Sequence, residues 1–83
     1  MTESRVALVG IIVSSKEAID DLNHLLSEYG EYIIGRMGLP YKERKISIIS
    51  VAMDAPADVI NSMTGKLGKL PGISTKTIYA KNM

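Results

Sequence analysis

The sequence predicts an α+β fold in which two helices cover one face of a four-stranded antiparallel sheet. Two runs, residues 6–13 and 46–53, are apolar at nearly every position, and such runs are typical of strands covered on both faces. Two further segments, residues 18–29 and 59–70, repeat apolar residues at the spacing of an amphipathic helix. With two shorter strand patterns, these segments give the element order βαββαβ.

The first strand is predicted over residues 5–13. Ser14 or Ser15 can cap the helix that follows, since a side-chain hydroxyl accepts an otherwise unpaired backbone N–H. The apolar face of this helix ends at Tyr29. Gly30 is expected to end the helix in a left-handed conformation, which glycine adopts without steric cost.

The second strand is predicted over residues 31–37 and the third over residues 45–53. The hairpin loop between them, residues 38–44, contains Gly38 and Pro40, which are both typical of turns.

The second helix is predicted to begin at residues 54–56, where aspartate can cap and proline is tolerated in the first turn. Gly65 and Gly68 lower the helix propensity of its second half. Residues 71–72 form a Pro-Gly turn, and residues 73–80 make the last strand.

Two right-handed split βαβ units of this order form the ferredoxin-like sandwich, with sheet order 4-1-3-2 and both helices on one face. We expect residues 1–83 to form one domain of this kind. The first and third strands, the most apolar ones, lie at its centre. Alternate side chains of each central strand point to opposite faces of the sheet. One set packs against the helices, and the other set would be exposed to solvent in a monomer. We therefore expect a homodimer or tetramer formed through the sheet face.

The composition argues against several classes of function. Cysteine is absent, which removes disulfides and thiolate ligands and suits a reducing cytoplasm. The net charge of +1 gives no general attraction to nucleic acids or anionic membranes. The central strands lack the aromatic residues on which RNA-binding sheets of this topology stack bases, and no stretch is long enough to span a bilayer. We expect a soluble cytoplasmic protein that contacts no membrane and does not bind nucleic acid directly.

No catalytic or metal-binding arrangement is visible. His24 is the only histidine and is expected on the surface of the first helix. A metal site shared between subunits, with Asp20 or Glu28, stays open as an alternative. No histidine is placed to activate a serine nucleophile, and no phosphate-binding glycine motif occurs. The sequence predicts no enzyme activity, no metal and no cofactor.

The candidate ligand site is expected at one end of the sandwich. Three loops emerge together there: the turn at residues 14–15, the hairpin loop at residues 38–44 and the turn at residues 71–72. Ser14 and Ser15 offer hydroxyls and helix N-terminal N–H groups. Arg36 and Arg44 can meet an anionic group, and Tyr41 can supply a flat wall. The alternative is a solvated set of loops with ordinary charges.

Four segments carry a resemblance to a known family: GEYIIGRMGLPYKER at 30–44, ISIISV at 46–51, DAP at 54–56 and GKLGKLPG at 65–72. They resemble the iron-only hydrogenase system regulators, a family of small ACT-like domains similar to the C-terminal domain of the nickel-responsive repressor. The resemblance implies an oligomeric, ligand-sensing regulatory domain linked to hydrogenase maturation.

Two features depart from these relatives. The nickel repressor uses several histidines and a cysteine, whereas this chain has His24 alone, so that metal site is not carried over. ACT domains carry glycine after the first strand, where Ser14 and Ser15 stand here, so an amino-acid ligand is not implied.

The predicted function is a non-enzymatic, ligand-sensing transcriptional regulator associated with an iron-only hydrogenase system, with a small effector at a subunit interface. The alternative is an interaction module that oligomerises and docks a maturation or DNA-binding partner, with no small ligand.

Overall fold

The computed structural model describes residues 3–81. Its strands and helices are β1 (Ser4–Val13), α1 (Glu17–Glu28), β2 (Ile33–Tyr41), β3 (Ile46–Pro56), α2 (Ala57–Gly68) and β4 (Ile73–Tyr79). Short 3-10 turns lie before β2 (Gly30–Tyr32) and between β2 and β3 (Lys42–Arg44). The strands pair antiparallel in the order β2-β3-β1-β4, which is the predicted order read from the other edge. The predicted α+β ferredoxin-like fold is confirmed.

The core lies between the sheet and the two helices. β1 and β3 are neighbours at the centre of the sheet, with Val9 opposite Val51. Every second residue is buried from Ala7 to Val13 in β1 and from Ile49 to Ala55 in β3. The buried residues of the sheet are Ala7, Val9, Ile11, Val13, Ile49, Val51, Met53 and Ala55. The helices add Ala18, Leu22, Leu25, Leu26, Ile60, Met63 and Leu67. No helix within residues 3–81 is long and apolar enough to cross a membrane.

The second strand runs over Ile33–Tyr41 rather than over the predicted residues 31–37. Pro40 lies within it, opposite Ser47. β2 is an edge strand, and an edge strand tolerates proline because one side of its backbone has no partner to bond. The predicted loop is therefore reduced to a short 3-10 turn, and Lys45 after it has a left-handed φ of 54°.

The predicted helix ends are wrong in their details. Lys16 occupies the N-cap of α1, and no side chain caps that helix. Gly30 begins a 3-10 turn instead of closing α1 in a left-handed conformation. Asp54 remains in β3, and Pro56 occupies the N-cap of α2. The capping preference of aspartate predicts that the helix begins at Asp54, but the pairing of β3 continues to Pro56.

The two turns at the loop end are fastened to each other. The backbone N–H of Ser14 donates to the carbonyl of Gly72 at 2.8 Å, and the Ser14 hydroxyl donates to the same oxygen at 3.1 Å. Gly72 has a φ of +77°, and a Cβ built on it would lie 2.7 Å from the Cβ of Ser15. Only glycine fits this turn without moving the neighbouring backbone.

The sheet face away from the helices, which we term the outer face, is apolar. It includes Leu8 and Ile12 from β1, Met37 and Leu39 from β2, Ile48 from β3 and Ile78 from β4. These side chains are between 40% and 69% exposed. The alternation in the sequence therefore places an aliphatic surface where the chain itself supplies no cover.

Gly72→Ala is expected to destabilise the fold by about 2 kcal/mol, because a left-handed conformation costs a side chain ~1–2 kcal/mol and the new methyl group meets Ser15. Gly65→Ala is the matched control, since its Cβ would enter open space on α2 and should stabilise by about 0.5–1 kcal/mol. Urea unfolding measures both changes. Equal stability of Gly72→Ala and the unmodified chain would contradict the role assigned to Gly72.

Candidate functional site

A cleft of about 610 Å³ opens at the loop end, between the β1–α1 turn and the β2–β3 hairpin. It is lined by Val13, Ser14, Ser15, Lys16 and Ile19 on one side and by Pro40, Tyr41, Lys42, Lys45, Ile46 and Ser47 on the other. The end of β1 and the start of β3 are hydrogen-bonded neighbours, with Val13 opposite Ser47. The central strands thus hold the two walls of the cleft at a fixed distance.

Three of the five predicted site residues line this cleft, namely Ser14, Ser15 and Tyr41. Arg36 does not. It lies in the middle of β2, opposite Val51, and its Nη2 donates to the Oδ1 of Asn23 at 3.0 Å. This hydrogen bond joins the edge strand to α1.

Arg44, the fifth predicted residue, belongs to the 3-10 turn of the hairpin and is exposed. It is not among the lining residues. The structure therefore does not bring Arg36 and Arg44 together with the two serines.

The positive charge in the cleft comes from lysines that the sequence reasoning did not select: Lys16, Lys42 and Lys45. The run from 42 to 45 reads as an ordinary charged loop, and nothing in its spacing shows which side chains face inward. Ser47 is a polar residue within the largely apolar run 46–53, and nothing in the sequence connects it with a ligand site. The 3-10 turn and the left-handed Lys45 shape the hairpin that carries Lys42 and Lys45, and neither feature has a clear sequence signal.

The serine hydroxyls differ in what they can offer a ligand. Ser14 uses its hydroxyl proton on the carbonyl of Gly72, so it can only accept. Ser15 and Ser47 make no side-chain hydrogen bond to any part of the chain that the structure describes. These two hydroxyls are therefore free to donate to a ligand in the cleft.

Tyr41 lies at the rim, 40% exposed, and its hydroxyl donates to the Oε2 of Glu43 at 3.3 Å. In register it faces Ile46, on the same side of β2 as the outer-face residues Met37 and Leu39. Tyr41 therefore belongs both to the cleft and to the border of the outer face.

The ionisable groups with a shifted pKa lie elsewhere, where the end of α1 meets α2. The hydroxyls of Tyr29 and Ser62 are 3.2 Å apart, and the Nζ of Lys66 lies 5.3 Å from the centre of the Tyr29 ring. The hydrogen bond with Ser62, and after it the one with Lys66, lowers the pKa of Tyr29. The interaction with Tyr29 raises the pKa of Lys66. This exposed cluster connects the two helices and takes no part in the cleft.

His24 is on the surface, as predicted. Its side chain is 81% exposed, and its Nε2 lies 3.5 Å from the Oε1 of Glu28 on the same helix. Within residues 3–81, no three His, Cys, Asp or Glu side chains are grouped closely enough to hold a metal ion.

Comparison with known proteins places this chain in a family. A model of the TM1266-like family, described as "Iron-only hydrogenase system regulator, putative", matches residues 5–77. The chain belongs to this family, as the resemblance indicated. The uncharacterized protein TM1266 from Thermotoga maritima is similar in structure, with a TM-score of 0.92 at 32% identity over 95% of this chain and 100% of that one.

More distant solved structures share the fold alone. A formyltetrahydrofolate deformylase from Pseudomonas putida KT2440 has a TM-score of 0.65 at 14% identity, over 94% of this chain and 29% of that one. An unknown protein from Galdieria sulphuraria has a TM-score of 0.66 at 16% identity, over 98% of this chain and 48% of that one. No curated protein sequence matches the chain.

Lys45→Gly is expected to stabilise the fold by about 1 kcal/mol, because glycine relieves the left-handed φ of 54°. Lys42→Gly is the matched control in the same turn. Lys42 begins the 3-10 turn, so glycine at this position should lower the free energy of unfolding by roughly 0.5–1 kcal/mol. Thermal unfolding of both variants measures the two changes, and changes of the same sign would contradict the assigned hairpin geometry.

Proposed function

We propose that this chain is a non-enzymatic regulatory domain of an iron-only hydrogenase system, and that it binds a small effector in the cleft, at a boundary between subunits. The cleft is the observation that carries the proposal. The domain acts in the cytoplasm. It influences transcription through a partner, since its charge balance gives no general attraction to DNA.

The size and walls of the cleft suit a small organic molecule. Ligand pockets in proteins commonly measure about 300–1,000 Å³, with apolar walls and a few polar groups that fix the orientation. Here, Val13, Ile19, Pro40 and Ile46 give the cleft an apolar lining, and the hydroxyls of Ser15 and Ser47 supply hydrogen-bond donors.

The lining residues support binding rather than chemistry. Acid–base and nucleophilic catalysis usually require a histidine, carboxylate or cysteine placed beside the reacting group. Among residues 3–81, those that line the cleft include none of these side chains. A family described as a regulator agrees with a binding role.

The shape of the outer face supports a second copy of the chain as its cover. Leu39, Ile48 and Ile12 lie opposite one another across three adjacent strands and form a ridge. In the next two rows, large and small residues stand side by side: Met37, Ser50 and Gly10 in one row, and Gly35, Ala52 and Leu8 in the other. About a two-fold axis, the large side chains of one copy can pack over the small residues of the other, as a symmetric dimer interface requires.

Gly10 gives independent support for a close approach from outside the chain. Glycine weakens a central strand, and it often marks a place where another molecule or backbone comes near. A Cβ built on Gly10 would meet nothing nearer than the carbonyl of Lys76 at 3.9 Å. Because the chain's own packing does not demand glycine there, we attribute it to the facing copy.

Tyr41 provides the connection between the two parts of the proposal. It lines the cleft and also stands at the border of the outer face. An effector that fixes Tyr41 and the hairpin changes the surface presented to the second copy. Effector binding then shifts the equilibrium between the associated and the dissociated chains, by an amount set by the difference in the effector's affinity for the two states.

The second candidate is a pure interaction module that docks a maturation or DNA-binding protein and takes no small ligand. The exposed residues of the edge strand favour it. Ile34 and Met37 are 65% and 69% exposed, and a strand edge of this kind can pair with another protein.

A thermal-shift screen with amino acids, nucleotides, organic acids and metal ions tests the effector. A ligand of the folded state, at about 100 times its Kd, should stabilise by about 2.7 kcal/mol. The shift should disappear in Tyr41→Ser and persist in Ile34→Ser, which changes an exposed residue of the same strand away from the cleft. No hit at millimolar concentration, with capture of a defined maturation protein, would favour the interaction module.

Met37→Lys is expected to reduce self-association, because it places charge on the proposed apolar contact. Ser27→Lys adds the same charge to an exposed position of α1 and should have no effect. Light scattering after size exclusion should give an oligomer for Ser27→Lys and a monomer, or a weaker oligomer, for Met37→Lys. A dilute monomer of the unmodified chain would contradict the proposed assembly.

A further inference from the structure

We infer that the cleft selects a small organic anion, with a carboxylate or phosphate group on an apolar body. This inference rests on the proposed effector-binding function and adds the chemical class of the ligand. It also replaces the two arginines that the sequence suggested with Lys16, Lys42 and Lys45.

The first argument is the imbalance of charge in the cleft. The three lysines line it, and none of their ammonium groups lies within ion-pair distance of a carboxylate in residues 3–81, where His24 and Glu28 form the recorded pair. Within the described part of the chain, three ammonium-bearing side chains and no carboxylate line one opening, so the local potential is positive. An anion is therefore attracted to the cleft.

The second argument is the backbone of the hairpin. Lys45 holds a left-handed conformation, with φ 54° and ψ 41°, in which glycine or asparagine would cost less. Residues held in sparsely populated backbone conformations cluster at ligand-binding sites, which agrees with a role for Lys45 in binding.

The third argument is the division of the cleft into two kinds of surface. The hydroxyls of Ser15 and Ser47 can donate to an anionic oxygen, as can the lysines. Ile19, Pro40 and Ile46 form walls that only an apolar group can fill favourably. A bare inorganic ion would leave the apolar walls exposed to water. We therefore expect a ligand with both an anionic group and an apolar body.

Glu43 sets the limit on this selectivity. Its carboxylate accepts the hydrogen bond of the Tyr41 hydroxyl at 3.3 Å, next to the rim of the cleft, although it does not line the cleft. Its negative charge opposes an incoming anion. Removal of that charge should therefore strengthen anion binding without any new contact.

The test is calorimetric titration with probes of one shape and different charge: benzoate, phenyl phosphate, neutral benzamide and cationic benzylamine, with inorganic phosphate as the anion without a body. We expect one or both aromatic anions to bind at least about tenfold more tightly than benzamide. The affinities of benzoate and phenyl phosphate show whether the cleft prefers a carboxylate or a phosphate group. Weaker binding of inorganic phosphate than of phenyl phosphate shows the contribution of the apolar body.

Variants connect this preference to the residues. Lys42→Met and Lys45→Gly should each weaken binding of the preferred anion about tenfold. Lys81→Met, at the opposite end of the sheet, should not change it. Glu43→Gln should bind the anion a few-fold more tightly, a gain that loss of folding cannot imitate.

Two results would overturn the inference, and they differ in what they leave standing. Benzamide or benzylamine binding as tightly as the anions, with no dependence on the lysines, would reject the anion class and keep an effector site. No binding of any probe, together with no hit in the thermal-shift screen, would reject both the anion class and the proposed function.

Discussion

The structure depends on the contact between two central strands that are apolar on both sides. β1 and β3 pair along their full length, from Ser4 opposite Pro56 to Val13 opposite Ser47. One set of their side chains is buried under α1 and α2, and this burial is the main stabilising term of a small domain. The other set includes Leu8, Ile12 and Ile48, which remain 40% to 45% exposed. The same residues that define the fold therefore create a surface that a lone chain leaves in water.

Much of the fold follows from periodicity. The continuous apolar runs of β1 and β3 and the three-to-four spacing in the helices predict the order of the elements, the topology and the two apolar faces of the sheet. Local signals performed less well. The sequence pattern favours Pro40 as a turn residue, although an edge strand tolerates it, and Asp54 as a helix cap, although strand pairing retains it in β3. In both cases strand pairing outweighs a local preference, which for a helix N-cap is worth about 1 kcal/mol.

The candidate site was predictable in place and less so in composition. Topology alone places Ser14, Ser15 and Tyr41 at one end, and the structure lines a cleft with them. Arg36 was assigned there by residue type, but its position in mid-strand directs it to Asn23. The hairpin that brings Lys42 and Lys45 to the cleft contains a left-handed residue, Lys45, and no sequence pattern indicates that conformation. The proposed regulatory function joins this cleft to the outer face through Tyr41, so effector binding and assembly become parts of one equilibrium.

The central claim is that a second copy of the chain covers the outer face. The most direct measurement is an isotope-filtered NOE experiment on an equal mixture of labelled and unlabelled chains. The account predicts intermolecular NOEs at the methyl groups of Leu8, Ile12, Leu39, Ile48 and Ile78, which are all exposed in the single chain. Intermolecular NOEs confined to the helices, or none at all at concentrations where an assembly is present, would contradict it.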